Sequence, residues 1–208
     1  MNTRIAVVGS VVVAGLGFGL GTMVGSSYAG GEDIAQQAAM EKWAEYSTPG
    51  PEHARIHKSV GRWDVTTKRW DYPGAEPVVG TASAVIEPIL DGRYVVEHFK
   101  MMMPMGDVEV AFEGRNFFGF DNLQQKYVYA WMDSMQTGII TGAGTYDRAG
   151  KTLTMISENA PNPIDGVFVK MKSVSTDVSD DERRSEMFSE LPDGSWFKSM
   201  EFVYRRAD

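Results

Sequence analysis

The segment Asp91-Gly92-Arg93-Tyr94-Val95-Val96-Glu97-His98-Phe99 alternates its side chains with the period of a strand. Arg93, Val95, Glu97 and Phe99 fall on one face, and Tyr94, Val96, His98 and Lys100 on the other. An arginine and a glutamate on one such face either orient a ligand inside an apolar cavity or form an ion pair that fixes the strand. Tyr127, Tyr129, Trp131 and Asp133 also share a face, as do Glu186 with Phe188, and Glu201 with Val203 and Arg205. Large aromatics at period 2 build either core or a ligand platform. Glu186 and Glu201, facing inward from adjacent strands, have the composition of an acid/base pair. The ligand-binding candidates are therefore Arg93, Glu97, Tyr129, Trp131, Glu186 and Glu201.

A second chemistry is metal binding. His98 is followed by Met101-Met102-Met103-Pro104-Met105, and thioethers are soft ligands suited to Cu(I). His98, Met101, Met103 and Met105 form that alternative set. The same methionines can instead serve as an adaptable apolar lining at a hairpin end. His53 and His57 are four apart, a spacing that can share a metal on a helix, but no HExxH pattern accompanies them. A nucleophile elbow, a P-loop, a dinucleotide fingerprint and zinc-ligand spacing are all missing, and the chain contains no cysteine. No catalytic residue and no cofactor is assigned, and the reading leans away from an enzyme.

These residues need strands to hold them. Ten runs rich in Val, Ile, Thr, Tyr, Phe and Trp lie between Trp63 and Arg206. Turn signals such as Asp91-Gly92, Asp121-Asn122 and Pro192-Asp193-Gly194 separate them. Short strands in sequence with no helical pattern between them predict an all-β, antiparallel up-and-down meander. A sheet that long curls shut and so loses its edges. A closed barrel of about ten strands is the first expectation and a two-sheet sandwich the second. Before it, Glu32–Ser47 and Pro51–Val60 predict two short helices, the latter with Pro at its first position and Glu52 in its first turn.

The chain opens on a basic n-region ending at Arg4, an uncharged run from Ile5 to Val24, and Ser27-Tyr28-Ala29 as a small-x-small exit. That order predicts a cleavable secretory signal over residues 1–29, and hence a periplasmic or secreted protein. An uncleaved inner-membrane anchor is the alternative, since the run approaches the ~20 residues that span a bilayer. Residues 30–50 then form a helical leader and 51–208 a single β-domain. Loss of Arg4 leaves 19 basic against 28 acidic side chains, a net charge of −9. Such a surface repels phosphate backbones and anionic lipid, which excludes nucleic acid as a partner. No membrane span is expected after cleavage, and the oligomeric state is left open.

From Pro51 onward the chain resembles the bacterial DUF1579 family, whose function is unknown. The resemblance is carried by Gly61-Arg62-Trp63, Leu90-Asp91-Gly92-Arg93-Tyr94, Gly119-Phe120-Asp121-Asn122, Trp131-Met132-Asp133, Gly150-Lys151-Thr152-Leu153-Thr154, Pro192-Asp193-Gly194 and Tyr204-Arg205-Arg206, in that order. A looser likeness is to lipocalin and calycin barrels, in which a first-strand Trp packs under an Arg from the last strand. Trp63 with Arg205 and Arg206 matches that signature and implies a calycin-like closure, with cation–π attraction across it. The expected function is non-catalytic holding of a small apolar or amphipathic molecule in the barrel. The alternatives are a copper-binding protein using the methionine cluster, or a filled structural barrel with no ligand.

Overall fold

The computed structural model describes residues 29–162 and 165–207, so residues 1–28, which carry nearly all of the expected export signal, lie outside it. The chain divides into two units, one ending at Lys42 and one beginning at Trp43. Helix α1 (Ala29–Ser47) leaves Ile34, Met40, Trp43 and Tyr46 exposed. No helix among the described residues is long and apolar enough to cross a membrane.

Ten strands form one closed antiparallel barrel, the up-and-down fold expected from the alternating pattern. They are β1 (Gly61–Arg69), β2 (Val78–Ile89), β3 (Tyr94–Met105), β4 (Val108–Asp121), β5 (Lys126–Asp133), β6 (Ile140–Tyr146), β7 (Thr152–Asn162), β8 (Val167–Asp177), β9 (Glu182–Glu190) and β10 (Trp196–Arg206). Each strand pairs with its neighbours in sequence, and β1 pairs with β10 to close the ring, with Val65 opposite Tyr204. Closure is the physical answer to the edge problem, because no strand keeps an unpaired ladder. The sandwich is thereby ruled out.

The hairpin end expected over residues 104–107 is present, with β3 running through Pro104 and Met105 up to the turn. Pro104 pairs with Glu109, and the turn falls at Gly106, whose φ is +63°. Proline tolerates the extended backbone near the end of a strand, so the turn sits on the residue that can adopt a left-handed conformation.

Helix α2 (Pro51–His57) closes one end. Pro51 starts it, and the His53 ring nitrogen Nδ1 accepts the Gly50 N–H at 3.0 Å. Ile56 is buried, in one cluster with Trp63, Val65, Ala84, Ile86, Val95, Phe99, Tyr127, Leu153 and Met155. His57 seats the helix on the β2–β3 turn, with Nε2 2.9 Å from the Gly92 carbonyl oxygen. Gly92 has φ +77°, and a Cβ there would come within 2.6 Å of the His57 ring. The Asp91-Gly92 pair therefore serves two needs: a left-handed turn and room for the floor helix.

Candidate ligand-binding interior

Trp63, on the first inward position of β1, is 4 % exposed and donates its indole N–H to the Ser59 carbonyl at 2.9 Å. The Arg206 guanidinium lies 4.3 Å over its ring and donates to the carbonyls of Val60 (2.9 Å) and Lys58 (3.1 Å). Gly61 makes this possible, because a Cβ there would come within 2.6 Å of Arg206 Nη1. Arg205 points the other way and pairs with Glu182 at 3.4 Å. Of the two basic residues named for the closure, Arg206 makes it. The floor continues with Glu52 of α2, which accepts a short hydrogen bond from the Tyr127 hydroxyl. Arg55 stacks over Tyr146 at 4.5 Å. Burial, the Glu52 carboxylate and the Tyr146 hydroxyl hold the Tyr127 phenol far above its usual range.

Above the floor the interior has two unlike walls. On one side Phe99 makes edge-to-face contacts with Phe112, Trp131 and Phe202, at centroid distances of 6.2, 6.3 and 6.2 Å. Trp131 lies over Gly114, where a Cβ would sit 2.2 Å from the indole, so the glycine makes room for the ring. On the other side β8 and β9 turn Met171, Ser173 and Ser175, and Ser185, Met187 and Ser189 inward, as their pairing with the buried Met155 of β7 requires. These walls differ in burial. On β1 the inward residues Trp63, Val65 and Thr67 are buried and alternate with more exposed neighbours. On β8 and β10 that alternation is lost, and nearly every residue on both faces is half-buried. Serine side chains are small for the width of a ten-stranded barrel, and the inner face along β8–β10 is half-buried.

A polar network crosses the base of this space. Glu97, 9 % exposed, accepts from the Tyr204 hydroxyl at 3.0 Å and from the Asn116 amide at 3.5 Å. The Asn116 side-chain oxygen is buried and has no partner. Arg183, the cross-strand neighbour of Tyr204, donates from Nε to Asp177 at 2.8 Å, and Asp177 accepts from Tyr146 at 3.2 Å. The Arg183 and Asp177 side chains face inward, yet 28 % and 34 % of their surface meets water. Desolvation raises the Glu97 carboxyl above its ordinary value, and Tyr204, Asn116 and Arg183 only partly offset this. Burial pushes the Tyr204 phenol up, aided by the Glu97 charge. Burial also lifts Tyr146 to about 12, with Asp177 adding to it. For Arg183 desolvation works against the charge, but Asp177 and the two tyrosines more than offset it.

The sequence candidates are thus only partly brought together. Glu97, Tyr129 and Trp131 line the interior, with Trp131 opposite Asn116 and Asn116 opposite Glu97. Arg93 does not pair with Glu97. It lies in the β2–β3 turn, donates to the Leu90 carbonyl at 3.3 Å and lies 3.8 Å from Asp91. Glu186 and Glu201 are opposite one another, but on the outer face. Phe202 and Tyr204 take inward positions of β10, so Glu201, next to Phe202, points out, bound by Lys198 (3.0 Å) and Lys68 (3.2 Å). Lys198 also binds Glu186 at 3.0 Å, so the pair is a surface ion cluster rather than an acid/base couple. The bulge between Lys198 and Met200 shifts the parity of β10 there.

The metal set also divides. Met101 pairs with Ala82 and Phe112 and packs on the core, and Met103 and Met105 follow on the same inward face. His98 is on the outer face, 3.6 Å from Glu87. A histidine and methionines an odd number of residues apart cannot share a metal from opposite faces of one strand. His53 and His57 are engaged separately, by Gly50 and Gly92. No group of three or more His, Cys, Asp or Glu that could hold a metal occurs among the described residues.

Asn116, Asp177, Arg183 and Tyr204 were not singled out from sequence. One signal was available: Asp177 and Arg183 flank the β8–β9 turn at positions that pair directly, each followed inward by a serine. Outside the barrel, a concavity of about 480 Å3 lies between the β1–β2 connection and the β9–β10 hairpin, beside Trp70, Trp196 and Lys198. Another of about 800 Å3 lies on the outer face of β1–β3. Neither contains a buried ionisable group, so the interior is the stronger candidate.

The barrel and its floor define a calycin-like closed domain. The chain belongs to the DUF1579 family, described as a protein of unknown function, whose model matches residues 48–206. No curated protein matches it. Among solved structures it is similar to Rv2717c from M. tuberculosis, with TM-score 0.56 and 10 % identity over 77 % of this chain and 100 % of that one. It is also similar to the S-type phycobiliprotein lyase CPES from Guillardia theta, with TM-score 0.54 and 10 % identity over 80 % of this chain and 97 % of that one. At such identity the likeness concerns the fold alone.

Proposed function

We propose that this is an exported, non-catalytic binding protein that holds a small apolar or amphipathic molecule inside its barrel. The observation that carries this reading is the accessibility of the inward-facing Arg183–Asp177 pair, set among side chains that are otherwise core. An inward-facing ion pair that meets water implies space beside it, and space between an aromatic wall and a serine–methionine wall favours a partly apolar guest. The buried Glu97–Tyr204 pair gives that guest a fixed polar end to orient against. The residues that support export are those of the N-terminal segment: basic, then uncharged, then small-x-small.

The test is titration with the neutral dye N-phenyl-1-naphthylamine, followed by its fluorescence. Binding with a Kd in the micromolar range is expected, and Ser173→Trp, which fills the space from the β8 wall, is expected to abolish it while leaving the circular dichroism unchanged. No dye binding to the wild type, or undiminished binding to a folded Ser173→Trp variant, would show a filled structural barrel instead.

A further inference from the structure

The ionisable side chains facing into the base of the barrel, just above the Trp63–Arg206 layer, are Glu97, Asp177 and Arg183, besides tyrosines. Arg69, paired with Asp71, and Asp133, which accepts from the Trp131 indole, take inward positions further up, toward the mouth. Arg183 and Asp177 cancel, at 2.8 Å. Glu97 is left with no cation of its own: Arg93 lies in the turn outside, and its direct partners are the neutral Tyr204 and Asn116. Beside it the Asn116 side-chain oxygen is a buried acceptor that nothing satisfies. An acceptor left unpaired has lost its water without replacement, so an arriving donor is rewarded there. The ladder Trp131, Asn116, Glu97 runs across β5, β4 and β3, so the aromatic wall and the two acceptors share one inner face. Phe99 and Phe112 pack against that indole, and Phe202 packs against Phe99.

We propose that the guest carries a cationic, hydrogen-bond-donating head, an aliphatic or arylalkyl primary amine, held by Glu97 and the Asn116 oxygen with its apolar tail along the Phe99–Trp131 wall. The inference rests on the binding reading above and names its ligand class. An ammonium group matches the site in three ways. It supplies the missing counter-charge, it donates to both acceptors, and its neighbours are aromatic faces that attract cations. A carboxylate head meets the opposite situation, because Glu97 repels it and Arg183 is already occupied. Desolvation, which raises the Glu97 carboxyl, is offset when an ammonium group docks beside it, because an adjacent cation favours the ionised form.

The experiment is displacement of N-phenyl-1-naphthylamine by octylamine, 1-octanol and octanoate, all below their micelle-forming concentrations. Octylamine is expected to displace the dye at a concentration at least ~10-fold lower than octanoate does, a free-energy difference of about 1.4 kcal/mol. Glu97→Gln is expected to bring the two within threefold. A second readout needs no variant: the side-chain carboxyl carbon of Glu97, followed by NMR, is expected to shift toward the ionised value when octylamine binds. Octanoate binding as tightly as octylamine, or dye displacement by none of the three, overturns the amine assignment and leaves the binding reading standing. A wild type that binds no dye at all overturns that reading and the amine assignment with it.

Discussion

The Arg206 guanidinium is centred 4.3 Å above the Trp63 ring, so the last strand of the barrel grips the first from the floor side. The same side chain donates to the carbonyls of Lys58, Val60 and Asp180, which ties the exit of α2 to the β8–β9 turn. A single residue thus joins ring closure, helix exit and a distant turn.

Arg206→Ala is therefore expected to destabilise the barrel by about 2 kcal/mol, from the lost cation–π contact and the carbonyls left unpaired. Arg206→Lys recovers only part of this, because an ammonium group cannot span the same carbonyls. Arg205→Ala, which breaks only an exposed pair with Glu182, is expected to stay within about 0.5 kcal/mol. Urea unfolding of the three variants checks the order.

Glu97 makes stability depend on pH with a definite sign. Its folded-state value is raised above 4.5, so between 4.5 and that raised value the native state holds a proton that the unfolded chain releases. Stability from this group is therefore full below the unfolded value, falls as pH rises through the folded value, and stays low above it. Glu97→Gln, which keeps the shape without the charge, is expected to remove that fall and to leave the protein more stable than wild type at pH 8. Unfolding curves between pH 4 and pH 8 provide the measurement.

Arg183 and Asp177 should behave as one unit. Asp177→Asn leaves a guanidinium without its counter-charge beside Tyr204, and Arg183→Met leaves the carboxylate alone. Each single change is expected to cost about 1–2 kcal/mol, reduced from fully buried values because water reaches the pair. The double variant is expected to cost less than the sum, and a double-mutant cycle gives the coupling.

Two glycines separate backbone from side-chain constraints. At Gly144 a Cβ would sit 1.9 Å from the Thr154 carbonyl oxygen, and backbone cannot withdraw without breaking the β6–β7 ladder. Gly144→Ala is expected to cost about 3 kcal/mol or more. At Gly114 the obstruction is the Trp131 ring, which can swing away. Gly114→Ala is expected to fold, with altered tryptophan emission and weaker dye binding.

Much of the fold was legible because strand alternation is a local signal. Period-2 runs, turn residues at the breaks and Pro51 at a helix start each act within a few residues, and ten such runs without helices leave few architectures open. The Trp63–Arg206 closure was legible for another reason: in a closed meander the first and last strands must be neighbours. Which arginine of the 205–206 pair faces in was not legible, since it depends on the register of β10 against β1.

The interior chemistry was decided by tertiary structure. Arg93 and Glu97 share strand parity in sequence, yet the left-handed turn at Leu90-Asp91-Gly92 ends the strand at Tyr94 and leaves Arg93 outside it. Glu186 sits on a strand that is polar on both faces, and only the register against Met187, Ser185 and Phe202 shows that it and Glu201 point out. Glu97 meets Tyr204, 107 residues away, because closure brings β3 and β10 to the same cavity. From the sequence alone came a closed barrel with Glu97, Glu186 and Glu201 as candidates to face its interior; that of these three only Glu97 does so, and which groups surround it, is a property of the ring, because side chains on non-adjacent strands meet only across its interior.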